Sequence, residues 1–267
     1  MLKFISKEWR NFLLALQFFT RIHVPSFADF KETDLNQSAK YFPLIGIVVG
    51  LLGAFVYQLS INILPNAVAV LFSMAATIYF TGAFHEDGLA DSADGLGGGW
   101  DKTRILLIMQ DSRLGTYGGV ALFFSLLVKF QLLISLPQTY LVYGLVIAHA
   151  LSRMTAVFMM STLSYVKPDG KAKPLATSMS IIDVAVACLF GLLPFISLWC
   201  YFADSKAIWT LLLYITMPTL LAWLWWRAKI KRWLNGYTGD CLGATQQITE
   251  LTAYLGMLIF FKHWPIS

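Results

Sequence analysis

Residues His85 to Trp100 read H-E-D-G-L-A-D-S-A-D-G-L-G-G-G-W and set Glu86, Asp87, Asp91 and Asp94 at the mouth of an apolar stretch. A carboxylate at hydrocarbon depth costs about 3 kcal/mol on insertion scales, so acids clustered at a membrane surface are a functional hypothesis. On a helix, at about 100° per residue, Asp87, Asp91 and Asp94 lie within an arc of about 60°, with Glu86 about a quarter turn or more away. Leu89, Ala90 and Ala93 separate them and no Lys or Arg does, so the three repel one another unless a cation sits between them. Hard oxygen ligands on one face suit Mg²⁺ or Mn²⁺, which keep positions for water and substrate phosphate. The plainer alternative is a solvated loop in which Asp94 caps a helix. Gly88 allows close backbone approach, and Gly95 with Gly97, Gly98 and Gly99 can end the helix in an adaptable loop.

Other residues could serve phosphate chemistry. Asp101 to Gln110 predicts a short surface helix with Asp101 near its start. Asp111-Ser112-Arg113-Leu114-Gly115-Thr116-Tyr117-Gly118-Gly119 then opens a further apolar run. Arg113 can contact phosphate bidentately, and the Gly-rich helix start offers N–H groups to an anion; as an alternative, Arg113 anchors the topology. His149 and Arg153 stand one turn apart inside an apolar run, where an arginine needs a carboxylate, a phosphate or a polar cavity. The loop from Lys167 to Pro174 is either a lid over an anionic substrate or a set of lysines for lipid headgroups. Arg227, Lys229, Lys231 and Arg232 read as a topology signal. In Asn235 to Asp240, Thr238 is a candidate cap and Asp240 a first-turn acid, kept as a candidate ligand or general base.

The elements that must position these residues are membrane helices. The chain has 267 residues, 57% hydrophobic and 13% charged, with a mean hydropathy of +0.64. A soluble domain carries about 25% charged residues. An all-α, polytopic helical bundle is expected, a single membrane-embedded domain over 1–267. Runs near the length of about 20 residues that a span requires fall at 42–63, 66–84, 116–137, 139–164, 181–201, 207–226 and 241–261, about seven spans. The run from Trp9 to Phe19, flanked by Lys3, Lys7, Arg10 and Arg21, is too short to cross and predicts an interfacial or re-entrant helix; no cleavage site follows it. The three cysteines are far apart and form no C-x-x-C pair, so neither a zinc site nor a disulfide framework is indicated. Nearly all Lys and Arg fall in the amino-terminal segment and the 85–115, 165–180 and 227–240 loops, which the positive-inside rule places in the cytoplasm together with the chemistry they carry.

The ordered motifs resemble one family. Phe19-Thr20-Arg21-Ile22-His23-Val24-Pro25 is similar to its T-R-L-P-V-P, with His23 in place of a proline. Phe42-Pro43-Leu44-Ile45-Gly46 matches F-P-L-I-G; His85 with Asp87 to Asp91 and Asp94-Gly95 matches H-x-D-G-L-A-D-x-x-D-G. Asp111 to Thr116 with Gly118 matches D-S-R-L-G-T-x-G, and Thr238 to Asp240 with Leu242 to Ala244 matches T-G-D-x-L-G-A, with Asn235 where a glycine is common. These motifs span nearly the whole chain and resemble the adenosylcobinamide-GDP ribazoletransferases, or cobalamin 5′-phosphate synthases, membrane enzymes that join the nucleotide loop of vitamin B12. The resemblance implies attack by the ribose hydroxyl of α-ribazole, or of its 5′-phosphate, on the cobinamide-linked phosphorus of adenosylcobinamide-GDP, with GMP leaving and Mg²⁺ as cofactor. It implies Asp87, Asp91 and Asp94 as catalytic metal ligands, Asp240 as a further catalytic acid, and Arg21, Arg113, Gly115, Arg153 and Lys167 as substrate-binding residues. It also implies a bacterial cytoplasmic (inner) membrane location and the lipid bilayer as a partner. Nucleic acid is not an expected partner; a homo-oligomer and association with other cobalamin-assembly enzymes stay open.

Two other readings compete. A CDP-alcohol phosphotransferase also carries D-x-x-D-G, here Asp91 to Gly95, but continues with a second acidic pair where this chain has Leu96-Gly97-Gly98-Gly99-Trp100-Asp101. A transporter would place its ionisable groups near mid-bilayer in broken, paired spans.

Overall fold

The computed structural model describes residues 2–24, 36–166, 179–199 and 205–263, and the described residues are helical apart from short turns and one isolated bridge. In chain order the helices are α1 (Leu2–Phe19), a 3₁₀ turn (Ala39–Tyr41), α2 (Phe42–Ile61), α3 (Asn66–Thr81), α4 (Phe84–Gly98), α5 (Lys102–Met109), α6 (Thr116–Ser135), α7 (Gln138–Thr162), α8 (Ile181–Leu192), α9 (Pro194–Trp199), α10 (Ser205–Leu234) and α11 (Gly239–His263). Local chemistry sets many of the boundaries. Pro43 sits in the first turn of α2, and Pro65 and Pro137 stand immediately before α3 and α7, where a missing N–H costs nothing. The Asp101 side chain caps α5 by accepting from the Arg104 N–H at 3.0 Å, and Ser180 with Asp183 forms a capping box on α8.

Five stretches, Asn36–Ile61, Thr116–Ser135, Gln138–Thr162, Ile181–Leu198 and Lys206–Leu234, are long and apolar enough to cross a bilayer, making this a multi-pass membrane protein. The expected seven-span count is corrected at two places. The 66–84 run does not continue straight through the acids: Gly82 (φ 68°) and Ala83 (φ 57°) both adopt the left-handed conformation, and α3 and α4 meet at 84°, so the pair counts as at most one broken span and brings the total to six. Gly82 takes this conformation freely, whereas Ala83 does so at a cost of about 1 kcal/mol or more. Hydropathy misses such a break because the apolar pattern persists through it. At the other end, α11 is 25 residues long yet falls short of the apolar criterion, since its buried residues include Gln246, Gln247, Thr249 and Glu250. It is an interior helix, packed against α4, α6, α7 and α10.

α7 is the hub. It is largely buried and packs on α2, α8, α9 and α11. α1 is fixed beside the start of α2, where Glu8 accepts from the Tyr41 hydroxyl at 2.6 Å and pairs with Lys40 at 2.7 Å. The core divides lengthwise, one cluster built around Phe19, Phe42, Val157, Trp226 and Leu242 at the end that carries α4, the other around Tyr57, Leu133, Leu145, Tyr254 and Phe260.

Candidate active site

Asp87, Asp91 and Asp94 all lie on α4, so the break at Gly82–Ala83 redirects the acidic helix without disturbing the spacing within it. Gly88 of α4 and Gly243 of α11 pack backbone to backbone. A methyl group at Gly88 would stand 2.9 Å from the Asp240 carbonyl oxygen and 3.1 Å from the Gly243 Cα. This contact brings Asp240, in the first turn of α11, beside the α4 acids. Asp91, half-buried, feels the negative charge of Asp87, Asp240 and Asp94. Asp87 is exposed, and no ion pair between any of these four carboxylates and a Lys or Arg occurs among the described residues. Glu86 points elsewhere, into the bundle, where it accepts from the Gln247 side-chain amide at 3.0 Å, in keeping with its offset from the aspartate face.

Asp94 differs from its neighbours. It is buried, and its two oxygens accept from the backbone N–H groups of Gly115 and Gly118, both at 2.8 Å. The anion at the amino-terminal end of α6 is therefore Asp94, a carboxylate borrowed from another helix, which places negative charge where the helix dipole favours it. Side chains at Gly115 and Gly118 would collide with that carboxylate, which explains the glycines of this segment. Arg113 lies outside the cluster. It is exposed and chelates Asp111 through Nε and Nη2, the shortest contact 2.6 Å, and these hydrogen bonds hold the Asp111 carboxyl down at about 2.

The connection into α11 adds two tyrosines that spacing did not single out. Val166 N–H donates to the Tyr237 carbonyl at 2.8 Å and Tyr237 N–H to the Ser164 carbonyl at 3.0 Å, a two-bond parallel bridge. It lays Tyr165 against Tyr237, their ring centroids 5.6 Å apart. Burial, and then the charge of nearby Asp240, push the Tyr165 phenol up. Thr238 accepts from the Cys241 N–H at 3.3 Å as the expected cap. Lys167 lies outside the described residues. Arg21 is exposed, stacks over the Tyr79 ring at 4.9 Å and donates its backbone N–H to Phe80 at 2.8 Å, which ties it to the α3–α4 break rather than to the acids.

Arg153 and His149 belong to a second, fully buried polar group. The carboxylate they face is Glu250 of α11. Glu250 pairs with Lys129 of α6 at 2.5 Å, approaches His149 Nδ1 at 3.4 Å and accepts from Gln246 and from the Tyr254 hydroxyl. Arg153 donates to the His149 carbonyl at 3.0 Å. The sequence did contain a signal for this group, because Lys129 and Glu250 are charges inside apolar runs.

Among the described residues, no three His, Cys, Asp or Glu side chains stand close enough to hold a metal ion as they are arranged. The donor set nevertheless fits a hard divalent cation. Asp87 in the first turn of α4, Asp91 one turn further along it and Asp240 in the first turn of α11 are carboxylates without a Lys or Arg partner among the described residues, while Asp94 already accepts an N–H at each oxygen.

The family model of cobalamin-5-phosphate synthases (CobS) matches residues 11–258. The chain belongs to that family. Among curated relatives, it is 39% identical to the adenosylcobinamide-GDP ribazoletransferase of Shewanella piezotolerans over 97% of this chain and 100% of that protein. It is 44% identical to that of Ralstonia pickettii, over 97% of this chain and 98% of the relative, and 43% identical to that of Shewanella amazonensis, over 96% and 97%. No solved structure matches. As a cobalamin-5-phosphate synthase family member it is a membrane transferase of nucleotide-loop assembly, and the acids of α4 and α11 fall within the matched residues.

Proposed function

We propose that this protein joins α-ribazole, or its 5′-phosphate, to adenosylcobinamide-GDP and releases GMP. The observation that carries the reading is the meeting of Asp87 and Asp91 on α4 with Asp240 on α11 at one open surface, with no Lys or Arg paired to them among the described residues. Asp87, Asp91 and Asp240 would hold Mg²⁺. Bound there, it would supply charge neutralisation at the phosphoanhydride.

The chain's own residues account for the rest. Asp94 anchors α4 to the start of α6 and so fixes the pitch at which Asp87 and Asp91 face Asp240. Its lone pairs not used by Gly115 and Gly118 stay available as a further metal contact. Asp240, half-buried with Tyr165 nearby, is positioned to take the proton from the attacking ribose hydroxyl. Arg113 exchanges its contact with Asp111 for substrate phosphate, a swap between two bidentate partners. The clustering of Lys and Arg in the amino-terminal segment and in the 85–115, 165–180 and 227–240 stretches of the sequence supports, by the positive-inside rule, a cytoplasmic active site in a bacterial inner membrane.

The test is GMP release by the purified, lipid-reconstituted protein given adenosylcobinamide-GDP and α-ribazole 5′-phosphate. Mg²⁺-dependent GMP together with a new cobamide is expected, falling about 100-fold or more in Asp91→Asn. CMP release from a CDP-alcohol, with no GMP, would move the protein to lipid-type chemistry.

A further inference from the structure

α10 packs along one side on α11 and is one of the five stretches able to cross a bilayer. Its other side is open: Trp209, Leu213, Met217, Leu220, Leu224 and Trp225 are all exposed. At about 100° per residue these six occupy an arc of about 160°, and Lys231 and Arg232, both exposed, fall inside the same arc. The face that acyl chains cover therefore ends in two cations. At about 1.5 Å per residue, Trp209 and Lys231 stand about 33 Å apart along the axis. That is close to the hydrocarbon thickness of about 30 Å, so the cations emerge at headgroup level.

The aromatic neighbours at this end order the cations without neutralising them. Lys229 Nζ lies over the rings of Trp225 and Trp226 at 5.5 and 6.0 Å, Arg227 over Trp223 at 5.8 Å and Arg232 over Trp233 at 5.8 Å. Arg227 is also tied to the last turn of α7, donating from Nε to the Thr162 hydroxyl at 2.9 Å and from Nη2 to the Thr162 carbonyl at 3.1 Å. A ring attracts a cation through its quadrupole and brings no net negative charge. Among the described residues, none of Arg227, Lys229, Lys231 and Arg232 pairs with a carboxylate. The dipole of α10 favours Lys231 and Arg232 in its last turn, but its carboxyl end carries only about half an elementary charge.

We propose that the carboxyl-terminal end of α10 binds the headgroup of an anionic phospholipid whose acyl chains lie along the exposed face of the same helix. Charge complementarity selects an anionic headgroup over a zwitterionic one, whose own ammonium would meet the cluster. The apolar face selects a lipid over a free phosphate, because a soluble anion gains nothing from Leu220, Leu224 and Trp225. The tryptophans belong at this depth, since indole favours the membrane–water interface. Orienting the chain needs the charges alone. The rings beneath three of the four cations and the tie to α7 hold them in fixed places as well, which is what a headgroup site requires. Such a site would act whatever reaction the acids carry out.

The test is native mass spectrometry of the full-length, detergent-solubilised protein titrated with dioleoylphosphatidylglycerol or dioleoylphosphatidylcholine. The wild type is expected to bind phosphatidylglycerol about tenfold more tightly, a preference that added salt erodes. Lys231→Gln combined with Arg232→Gln is expected to weaken phosphatidylglycerol binding about fivefold for each cation removed, with phosphatidylcholine binding within about twofold of wild type. The charge-conserving pair, Lys231→Arg with Arg232→Lys, is expected to keep the preference. Melts in the same detergent identify folded protein, and should the double glutamine variant not fold, Lys231→Gln alone carries the comparison. Equal binding of the two lipids by the wild type, or an unchanged preference in the folded glutamine variant, overturns the site. In the latter case, a raised KM for adenosylcobinamide-GDP in phosphatidylcholine nanodiscs gives the cations to the soluble substrate instead. A wild-type dimer that retains no lipid also overturns it and gives the face to a second copy of this chain.

Discussion

Two acidic regions lie along the same helices and are built in opposite ways. Toward the interior, Glu250 is 1% exposed and meets Lys129, His149, Gln246 and Tyr254 within a single sealed group. Toward the surface, Asp87, Asp91 and Asp240 gather, Asp87 exposed and the other two half-buried, with no Lys or Arg paired to them among the described residues. Charge in low dielectric survives only when paired and hydrogen-bonded, so the first arrangement is what a membrane bundle needs in order to fold. The second leaves repulsion unrelieved, which a cation can relieve. The difference separates scaffold from chemistry more clearly than the residue types do, since both regions use carboxylates.

The comparison can be broken most sharply at its open end. Asp87→Asn is expected to cut GMP release about 100-fold while shifting the folding stability by no more than about 0.5 kcal/mol, the size of a relieved like-charge pair on a helix; turnover and thermal melts on the same preparation measure both. At the sealed end the pattern inverts. Glu250→Leu strands Lys129 and should cost about 3–5 kcal/mol, and pairing it with Lys129→Met should return much of that loss. Melts of the single and double variants in one detergent decide this, and a double variant no more stable than the single one would mean that the pair is not the unit. Between the two regions lies the Asp94 clasp. Gly118→Ala pushes a methyl group into that carboxylate and should cost about 1–3 kcal/mol, with faster hydrogen exchange in the variant at the two backbone amides that hold Asp94. The smallest effect is expected away from both. Ala83→Gly relieves the left-handed strain at the α3–α4 break, and a melt should show stabilisation of about 1 kcal/mol at most, with turnover unchanged.

Much of the site could be read in the sequence because helical spacing is local information. Three aspartates at i, i+4 and i+7 stay on one helix whatever that helix packs against, and Asp101 caps α5 through a contact three residues away. What could not be read depended on long-range placement. The part played by Asp94 needs Gly115 and Gly118 to arrive from 21 and 24 residues away, and spacing alone leaves it as one more ligand. Tyr165 beside Tyr237 depends on a bridge between segments far apart in the chain. The bend at Gly82–Ala83 escaped because hydropathy averages over a window longer than the two residues that turn the chain. α11 was counted as an ordinary span because its polar side chains are spread along one helix, and only packing shows that Thr245, Gln246, Gln247, Thr249 and Glu250 are buried inside the bundle.

The Asp94 clasp also bears on the order in which this enzyme can be assembled. It closes within 24 residues, a short loop with a small entropic cost, so α4, α5 and α6 can lock together while later helices are still on the ribosome. Asp240 belongs to α11, which is made more than a hundred residues later than the start of α6. A nascent chain therefore carries a finished platform and an incomplete set of acids through most of its synthesis, and it becomes competent only when α11 slides in against Gly88.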